Sequence, residues 1–94
     1  MNKTDLISVV AEKNDITKKD AEKIVVSVFD AIIESVAKGE DVKIVGFGSF
    51  ERRIRKARTG VDPRSREPIT IPESKVPAFK PGKVFKEVVE KQEQ

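Results

Sequence analysis

The stretch from Arg52 to Arg66 reads RRIRKARTGVDPRSR, and it decides the fold and the partner that we predict. It holds seven cations against one acid, Asp62, so fifteen residues carry a net charge of +6. A compact core cannot bury so many unpaired charges, and the stretch must therefore project into solvent or against an anionic partner. A basic arm with the apolar Pro63 at its tip suits a polyphosphate helix that is gripped and wedged open.

The rest of the composition excludes several classes of protein. The 94 residues are 37% hydrophobic and 37% charged, which predicts one small domain with a modest core. The chain has no cysteine and no histidine, so it lacks disulfides, thiolate metal sites and the commonest general base. Its carboxylates are scattered, and it has no phosphate-cradling glycine loop. We expect no enzymatic activity, no metal and no cofactor. Apolar runs are too short to span a membrane and no signal peptide is evident, which predicts a soluble, cytoplasmic protein.

The charge is segregated along the chain. Residues 1–40 contain six Lys and Arg against eight Asp and Glu, a net charge of −2. Residues 41–94 contain thirteen against eight, a net charge of +5. This asymmetry favours nucleic acid as the partner and predicts that the second part of the chain forms the binding surface.

The first forty residues predict two helices. Apolar side chains recur at helical spacing over residues 3–13, and Asn14-Asp15 ends this helix. A second helix begins after Thr17, which can cap it, and ends at Gly39. Its apolar stripe is Ala21, Ile24, Val25, Val28, Phe29, Ile32, Ile33 and Val36. The stripe is wider than the first helix can cover, which predicts a two-fold homodimer. The alternative is that it packs wholly within one chain.

After Gly39 the period of the pattern changes from 3.6 to 2, which is typical of strands. A strand over residues 42–44 leads through a glycine turn to a second strand that begins at Phe50 and enters the basic stretch. We predict a turn at Gly60–Pro63 and a return strand over residues 68–72, whose prolines require a free edge. The two strands form a flexible arm at about residues 52–72. Residues 76–79 then re-enter the core, where we also expect Phe47 and Phe50.

The C-terminal part predicts a short helix after Pro81-Gly82. Its apolar residues, Val84, Phe85, Val88 and Val89, are expected to face inward. Lysines recur every three residues at positions 80, 83 and 86, which gives a second basic patch. Residues 90–94 are expected to fray.

Several motifs, spread over essentially the whole chain, resemble those of the bacterial HU family. They are MNKTDL at the start, VGFGSF at 45–50, Arg53-x-Arg55, Ala57-Arg58, Gly60-x-x-Pro63, Ile71-Pro72 and KVPAFKPGK at 75–83. The resemblance implies an α+β fold: an intertwined homodimer with two N-terminal helices per chain, a β-sheet saddle with protruding two-stranded β-arms, and a short C-terminal helix. Residues 1–94 would form one domain. Within it, residues 1–40 are the helical dimerisation body, 41–80 the sheet with its arm, and 81–94 the C-terminal helix and a frayed tail.

The same resemblance implies a nucleoid-associated architectural protein that bends and compacts DNA, binding its minor groove largely without sequence specificity. HU is itself among the proteins from which minor-groove architectural binding is known. Pro63 would intercalate between base pairs at the tip of the arm. The other implied DNA-binding residues are Arg53, Arg55, Arg58, Arg64 and Arg66 on the arm, Gly46, Gly48 and Ser49 at the glycine turn, and Lys3, Lys75, Lys80, Lys83 and Lys86 on the flanks. Bent, nicked or gapped duplexes should bind best, because they have already lost stacking energy.

The tip of the arm departs from the family pattern. Val61-Asp62 stands where HU usually has Arg-Asn, and Arg64-Ser65-Arg66 stands where Gln-Thr-Gly usually follows. Asp62 places an anion beside the phosphates, which should lower DNA affinity, while Arg64 and Arg66 restore positive charge nearby.

Other interpretations of the chain stay open. The protein can be one subunit of a heterodimer similar to integration host factor, with sequence preference, or an RNA-binding or ribosome-binding protein whose basic arm enters folded RNA. The basic hairpin can also be solvated without a partner, and Pro63 can be an ordinary turn residue.

Overall fold

The computed structural model describes residues 1–92, which form three helices and five strands. These are α1 (Lys3–Asn14), α2 (Lys18–Ala37), β1 (Val42–Ile44), β2 (Gly48–Arg55), β3 (Arg58–Val61), β4 (Pro68–Ile71), β5 (Ser74–Pro81) and α3 (Lys83–Lys91). The predicted α+β class is confirmed. The chain divides into two compact units, Met1–Glu34 and Ser35–Gln94, and each is described separately. No helix within residues 1–92 is long and apolar enough to cross a membrane.

The first unit contains α1 and most of α2, and capping side chains lie at the helix ends. Asn2 caps α1 by accepting a hydrogen bond from the Asp5 N–H at 2.9 Å, and the Asp5 carboxylate accepts one from the Asn2 N–H at 3.1 Å. Asp15 ends α1 in the left-handed conformation. The Thr17 hydroxyl then accepts from the Asp20 N–H at 3.1 Å, as its position in the sequence predicts.

The buried core of this unit is small. It consists of Ile7, Ala11, Ala21 and Val25, with Leu6, Val10 and Ile16 packed against it. Most of the other apolar residues of the α2 stripe remain exposed, with Ile24, Val28 and Ile33 at 51%, 50% and 64%, whereas Val36 is buried and Ile32 is half-buried. The single chain therefore does not cover the stripe, which contradicts the alternative that it packs wholly within one chain. The reason is length, since the twelve residues of α1 cannot cover the twenty of α2.

The second unit is built on a three-stranded antiparallel sheet in the order β1-β2-β5. Gly39 ends α2 with a φ of +89°, where the sequence predicts the stop. Phe47, Phe50, Phe79 and Phe85 gather into one aromatic cluster, with neighbouring ring centroids 4.8 to 6.3 Å apart. Phe47 and Phe50 therefore pack against other rings, but Phe47 is 42% exposed, so its predicted core position is wrong for one chain alone.

The arm is a separate two-stranded sheet of β3 and β4, and it differs from the predicted ribbon in two ways. Lys56-Ala57 and Pro72-Glu73 interrupt both strands, so the ladder of β2 and β5 does not continue into the arm. The turn begins at Asp62 rather than at Gly60, which lies inside β3 opposite Ile69. An added Cβ at Gly60 would lie 3.0 Å from Cδ1 of Ile71, so the isoleucine side chain would have to shift by a few tenths of an ångström.

α3 begins after Gly82, as predicted, and has no side-chain cap. It includes Glu90 and Lys91, where fraying is predicted from the sequence, while residues 93 and 94 lie outside the described part of the chain. Of its apolar residues, Phe85 packs in the aromatic cluster, whereas Val84, Val88 and Val89 remain 54%, 54% and 59% exposed. The expectation that all four face inward is therefore wrong for the three valines in one chain alone.

Candidate nucleic-acid interface

The register of the three-stranded sheet brings several predicted site residues onto one face. Ser49 pairs with Lys80, Arg53 with Val76 and Arg55 with Ser74, and paired residues of antiparallel strands share a face. Lys43 on β1 pairs with Ser49 from the other side. We call this surface the basic face; its residues are Lys43, Ser49, Glu51, Arg53, Arg55 and Lys80. All four predicted members, Ser49, Arg53, Arg55 and Lys80, are brought together.

Lys43 also lies on this face and is not among the DNA-binding residues predicted from the sequence. It is exposed and shares a row across the sheet with Ser49 and Lys80. Because side chains alternate along a strand, Lys43 points to the other face of the sheet from Val42 and Ile44. The predicted strand over residues 42–44 was therefore sufficient to place Lys43 on the exposed face.

Lys75 and Arg52 lie on the opposite face. Lys75 pairs with Ile54, and Arg52 pairs with Pro77, both out of phase with Arg53 and Arg55. Arg52 donates a hydrogen bond from Nη1 to the Ala37 carbonyl oxygen at 3.3 Å, at the C-terminus of α2. A cation is favourable there because it meets the negative end of the helix dipole. Arg52 is thus bonded to the end of α2. Lys75, which was predicted to bind DNA, lies on the face opposite the basic face.

The glycine turn between β1 and β2 contains two glycines with different physical requirements. Gly46 has a φ of +84° and open space around it, so its backbone conformation is what favours glycine. Gly48 is buried, and an added Cβ would lie 2.5 Å from the Lys80 carbonyl oxygen and 2.7 Å from the Phe79 ring. An open cavity of about 300 Å³ lies beside the turn, between Lys43 and Lys80. The predicted approach of a phosphate to the backbone at Gly46 and Ser49 has room in this cavity.

One carboxylate interrupts the positive charge of the basic face. Oε1 of Glu51 lies 2.9 Å from Nε of Arg53 and 3.5 Å from Nζ of Lys80. The Arg53 hydrogen bond lowers the pKa of Glu51 below its ordinary value of 4.5, and the charge of Lys80 acts in the same direction. Glu51 is therefore ionised at neutral pH and paired with two of the predicted site cations.

The arm presents its cations to solvent. Arg55, Lys56 and Arg58 are exposed at the base of the arm. Arg58 pairs with Ile71, but the break at Lys56-Ala57 separates its register from that of Arg55. Pro72 lies in the corresponding break of the return strand and has no N–H to donate to a ladder, so the arm does not continue the ladder of β2 and β5.

Pro63 lies at the tip of the arm in a six-residue turn closed by hydrogen bonds of the backbone. The Asp62 N–H donates to the Glu67 carbonyl oxygen at 2.9 Å, and the Arg66 N–H donates to the Asp62 carbonyl oxygen at 2.7 Å. Oδ1 of Asp62 also accepts from the Arg64 N–H at 2.8 Å, which fixes the chain on both sides of Pro63. Pro63, Arg64 and Arg66 are all exposed.

Arg66 is one of the departures from the family pattern, and its backbone conformation makes this departure costly. Its φ is +60°, in the left-handed region that glycine adopts most easily, and the usual family motif has glycine here. A non-glycine residue in this conformation costs roughly 1 kcal/mol. The chain thus carries an additional tip cation at the expense of local backbone strain.

The remaining predicted site residues lie elsewhere. Lys83 and Lys86 are exposed one turn apart on α3, and Lys3 is the exposed first residue of α1 in the other unit. Across residues 1–92, no cluster of carboxylates could hold a metal ion.

Known proteins with similar sequences match almost the whole chain. The family model described as bacterial DNA-binding protein matches residues 1–90. DNA-binding protein HU 1 of Bacillus subtilis (strain 168) is 54% identical over 89 residues, covering 95% of this chain and 97% of the relative. DNA-binding protein HU of Staphylococcus aureus (strain COL) is 56% identical, covering 95% and 99%.

Solved structures agree. The Anabaena HU–DNA cocrystal structure superposes with a TM-score of 0.90 at 48% identity, covering 98% of this chain and 100% of that one. HU from Thermotoga maritima gives a TM-score of 0.67 at 40% identity, covering 95% and 98%. The exposed basic face, the proline-tipped arm and these similarities lead to one conclusion: the chain belongs to the HU family of bacterial DNA-binding proteins.

Proposed function

We propose that this protein is an architectural DNA-binding protein of the bacterial nucleoid, which binds double-stranded DNA in the minor groove largely without sequence specificity and bends it. The observation that carries the proposal is the juxtaposition of Arg53, Arg55 and Lys80 on one exposed face that leads toward a proline-tipped arm. A similar protein has been crystallised with DNA. We propose no catalytic activity and no cofactor.

The grip is electrostatic. Arg53, Arg55 and Arg58 have no compact core to pack into and bring positive charge along the base of the arm. Guanidinium groups bind phosphate bidentately and are favoured in a narrow minor groove. Each phosphate that is neutralised releases counterions, which makes the affinity fall steeply with salt. Lys80, Lys83 and Lys86 extend the contact to flanking phosphates once the DNA bends.

The bend is stabilised by Pro63. Its exposed apolar ring is held by the Asp62 turn at the end of the arm, where it can enter between two base pairs. Unstacking one step costs roughly a few kcal/mol, and the bend repays this cost by bringing more phosphates to the flanking lysines. Nicked, gapped or already bent DNA has lost part of this stacking, so it should bind more tightly than intact duplex.

The functional unit is a homodimer. The half-exposed apolar residues of α2 and of α3 need a second surface to cover them, and a second copy supplies an identical stripe by two-fold symmetry. Two arms would then reach the DNA from opposite sides, one from each protomer.

A competition assay tests the proposal. Intact duplex, the same duplex with a two-base gap, matched double-stranded RNA and several unrelated duplex sequences compete for the protein across a salt series. We expect the gapped duplex to bind best, the duplex sequences to bind alike, and log affinity to fall with log salt by about 0.9 per phosphate contacted.

Each failure points to a particular alternative. Tighter binding of RNA than of DNA would replace the DNA-bending function with RNA binding. A strong preference for one duplex sequence, together with binding only after addition of a second subunit, would indicate a heterodimer similar to integration host factor. Equal affinity for intact and gapped DNA would remove the wedge and leave the electrostatic grip.

A further inference from the structure

We propose that Glu51 is an intramolecular competitor of DNA: its carboxylate holds Arg53 and Lys80 in the free protein and must give up these cations when phosphates bind. The inference rests on the proposed function and deepens it, because it assigns to one acid the setting of affinity at the basic face.

The geometry shows one oxygen engaged with two cations from different strands. Oε1 of Glu51 accepts a hydrogen bond from Nε of Arg53 at 2.9 Å and lies 3.5 Å from Nζ of Lys80 on β5. Within residues 1–92 these two contacts are the ion pairs of the structure, although that part of the chain carries many other exposed charges. The pairing is therefore specific to the basic face.

The position of Glu51 makes competition unavoidable. Glu51 lies between Ser49 and Arg53 in β2 and shares their face of the sheet. A phosphate that reaches either Arg53 or Lys80 must approach the same carboxylate, and two anions at such close range repel each other. A quarter of the Glu51 side chain is exposed, and its carboxylate faces the two cations at the surface of the sheet.

The contact leaves the arginine partly available. Only Nε of Arg53 is bonded to Glu51, so its terminal nitrogens can begin a phosphate contact before the ion pair breaks. Lys80 has a single ammonium group and must exchange one anion for the other. Glu51 thus reduces the positive charge that the free protein offers to DNA without blocking the first encounter.

Two substitutions separate this role from simple positioning of Arg53. Glu51→Gln keeps an acceptor oxygen for Nε of Arg53 and removes the charge, whereas Glu51→Ala removes both. Glu12→Gln on the exposed surface of α1 changes the net charge by the same amount without touching either cation, and serves as the matched control. Affinity for one intact duplex is measured by fluorescence anisotropy across a salt series, after circular dichroism has confirmed folding.

We expect E51Q and E51A to bind about three- to tenfold more tightly than E12Q at low salt, as for the loss of competition from two exposed ion pairs. Their log–log salt slopes should steepen by up to about 0.9 for each cation released. If the DNA affinity of the wild type falls steeply with salt but E51Q binds DNA no more tightly than E12Q, the competitor role is overturned and the proposed function stays intact. Weaker binding by E51A than by wild type would also overturn it, because Glu51 would then be positioning Arg53. A wild type without salt-dependent DNA binding would overturn both proposals.

Discussion

At the scale of single residues, Asp62 at the tip of the arm has two opposing effects, one from its charge and one from its hydrogen bond. From the sequence, Asp62 is expected to lower affinity because it places an anion beside phosphates. In the structure its Oδ1 accepts the Arg64 N–H and so holds the turn that presents Pro63. The two effects oppose each other in the wild type, and substitutions that remove one of them at a time can measure both.

Asp62→Asn keeps the acceptor and removes the charge, so we expect tighter binding to both intact and gapped DNA. Asp62→Ala also removes the acceptor, which costs about 1 kcal/mol of turn stability and should lower the preference for gapped over intact duplex. Competition binding of the two variants on both duplexes checks this. An Asn variant that binds no more tightly than wild type would show that the charge of Asp62 has no cost.

The two glycines of the β1–β2 turn make a second residue-scale prediction. Gly48→Ala places a methyl group against the Lys80 carbonyl oxygen and the Phe79 ring, and we expect it to lower the free energy of unfolding by about 1–3 kcal/mol. Gly46→Ala meets no neighbouring atom and suffers only the cost of positive φ, roughly 1 kcal/mol. Thermal denaturation compares the pair. Equal losses would contradict the packing role of Gly48.

At the scale of elements, the sheet sorts like charges by their register. The consecutive arginines of β2 have different contacts. Arg52 donates a hydrogen bond to the last residue of α2, whereas Arg53 lies on the basic face. The ladder of β2 and β5 ends at Arg55 and Ser74, and the arm starts a new ladder after the break. The face on which strand pairing places each side chain, and not the local density of charge, therefore determines which cation is available to a partner.

The pKa of Glu51 reports the ion pairs of the basic face. Because it is lowered in the folded protein, the stabilisation from these pairs is present above the ordinary value of 4.5 and is lost as the pH falls through the lower folded pKa. Arg53→Gln removes the largest cause of the shift, so we expect the Glu51 pKa to rise toward its ordinary value. An NMR titration of the side-chain carboxyl carbon measures it. Arg55→Gln is the control, and an equal rise in that variant would contradict the assignment.

At the scale of the whole molecule, the single chain leaves many apolar residues of α2 and α3 exposed, which supports the proposed homodimer. The core of the first unit contains four buried residues, and α3 has none among its nine. A second copy that covers these faces would contribute most of the stability, which would then depend on protein concentration.

Ile33→Asp tests this dependence on the most exposed residue of the α2 stripe, where intrachain packing is least affected. We expect the variant to dissociate at concentrations where wild type is dimeric, with a lower Tm. Ser27→Asp adds the same charge on an exposed position of the same helix, off the stripe, and should change little. Sedimentation equilibrium gives the mass. A monomeric wild type with a concentration-independent Tm would refute the homodimer.

Much of the fold follows from local rules that act within a few residues. The caps at Asn14-Asp15, Thr17 and Gly39, the strand at 42–44 and the start of α3 were all predictable, because capping and alternation depend on neighbours in the sequence. The position of the basic arm was equally predictable, since concentrated charge must leave any core.

Other features of the fold depend on contacts between residues that are distant in sequence. The pairing of Glu51 with Lys80, the use of Arg52 at the end of α2, and the strand position of Gly60 all follow from the register between strands. Register is a property of two strands together, and a shift of one residue moves every side chain to the other face. The order of the residues alone therefore predicts a basic, proline-tipped arm, whereas the pairing of the strands sets which of the positive charges of this chain are already engaged within the fold.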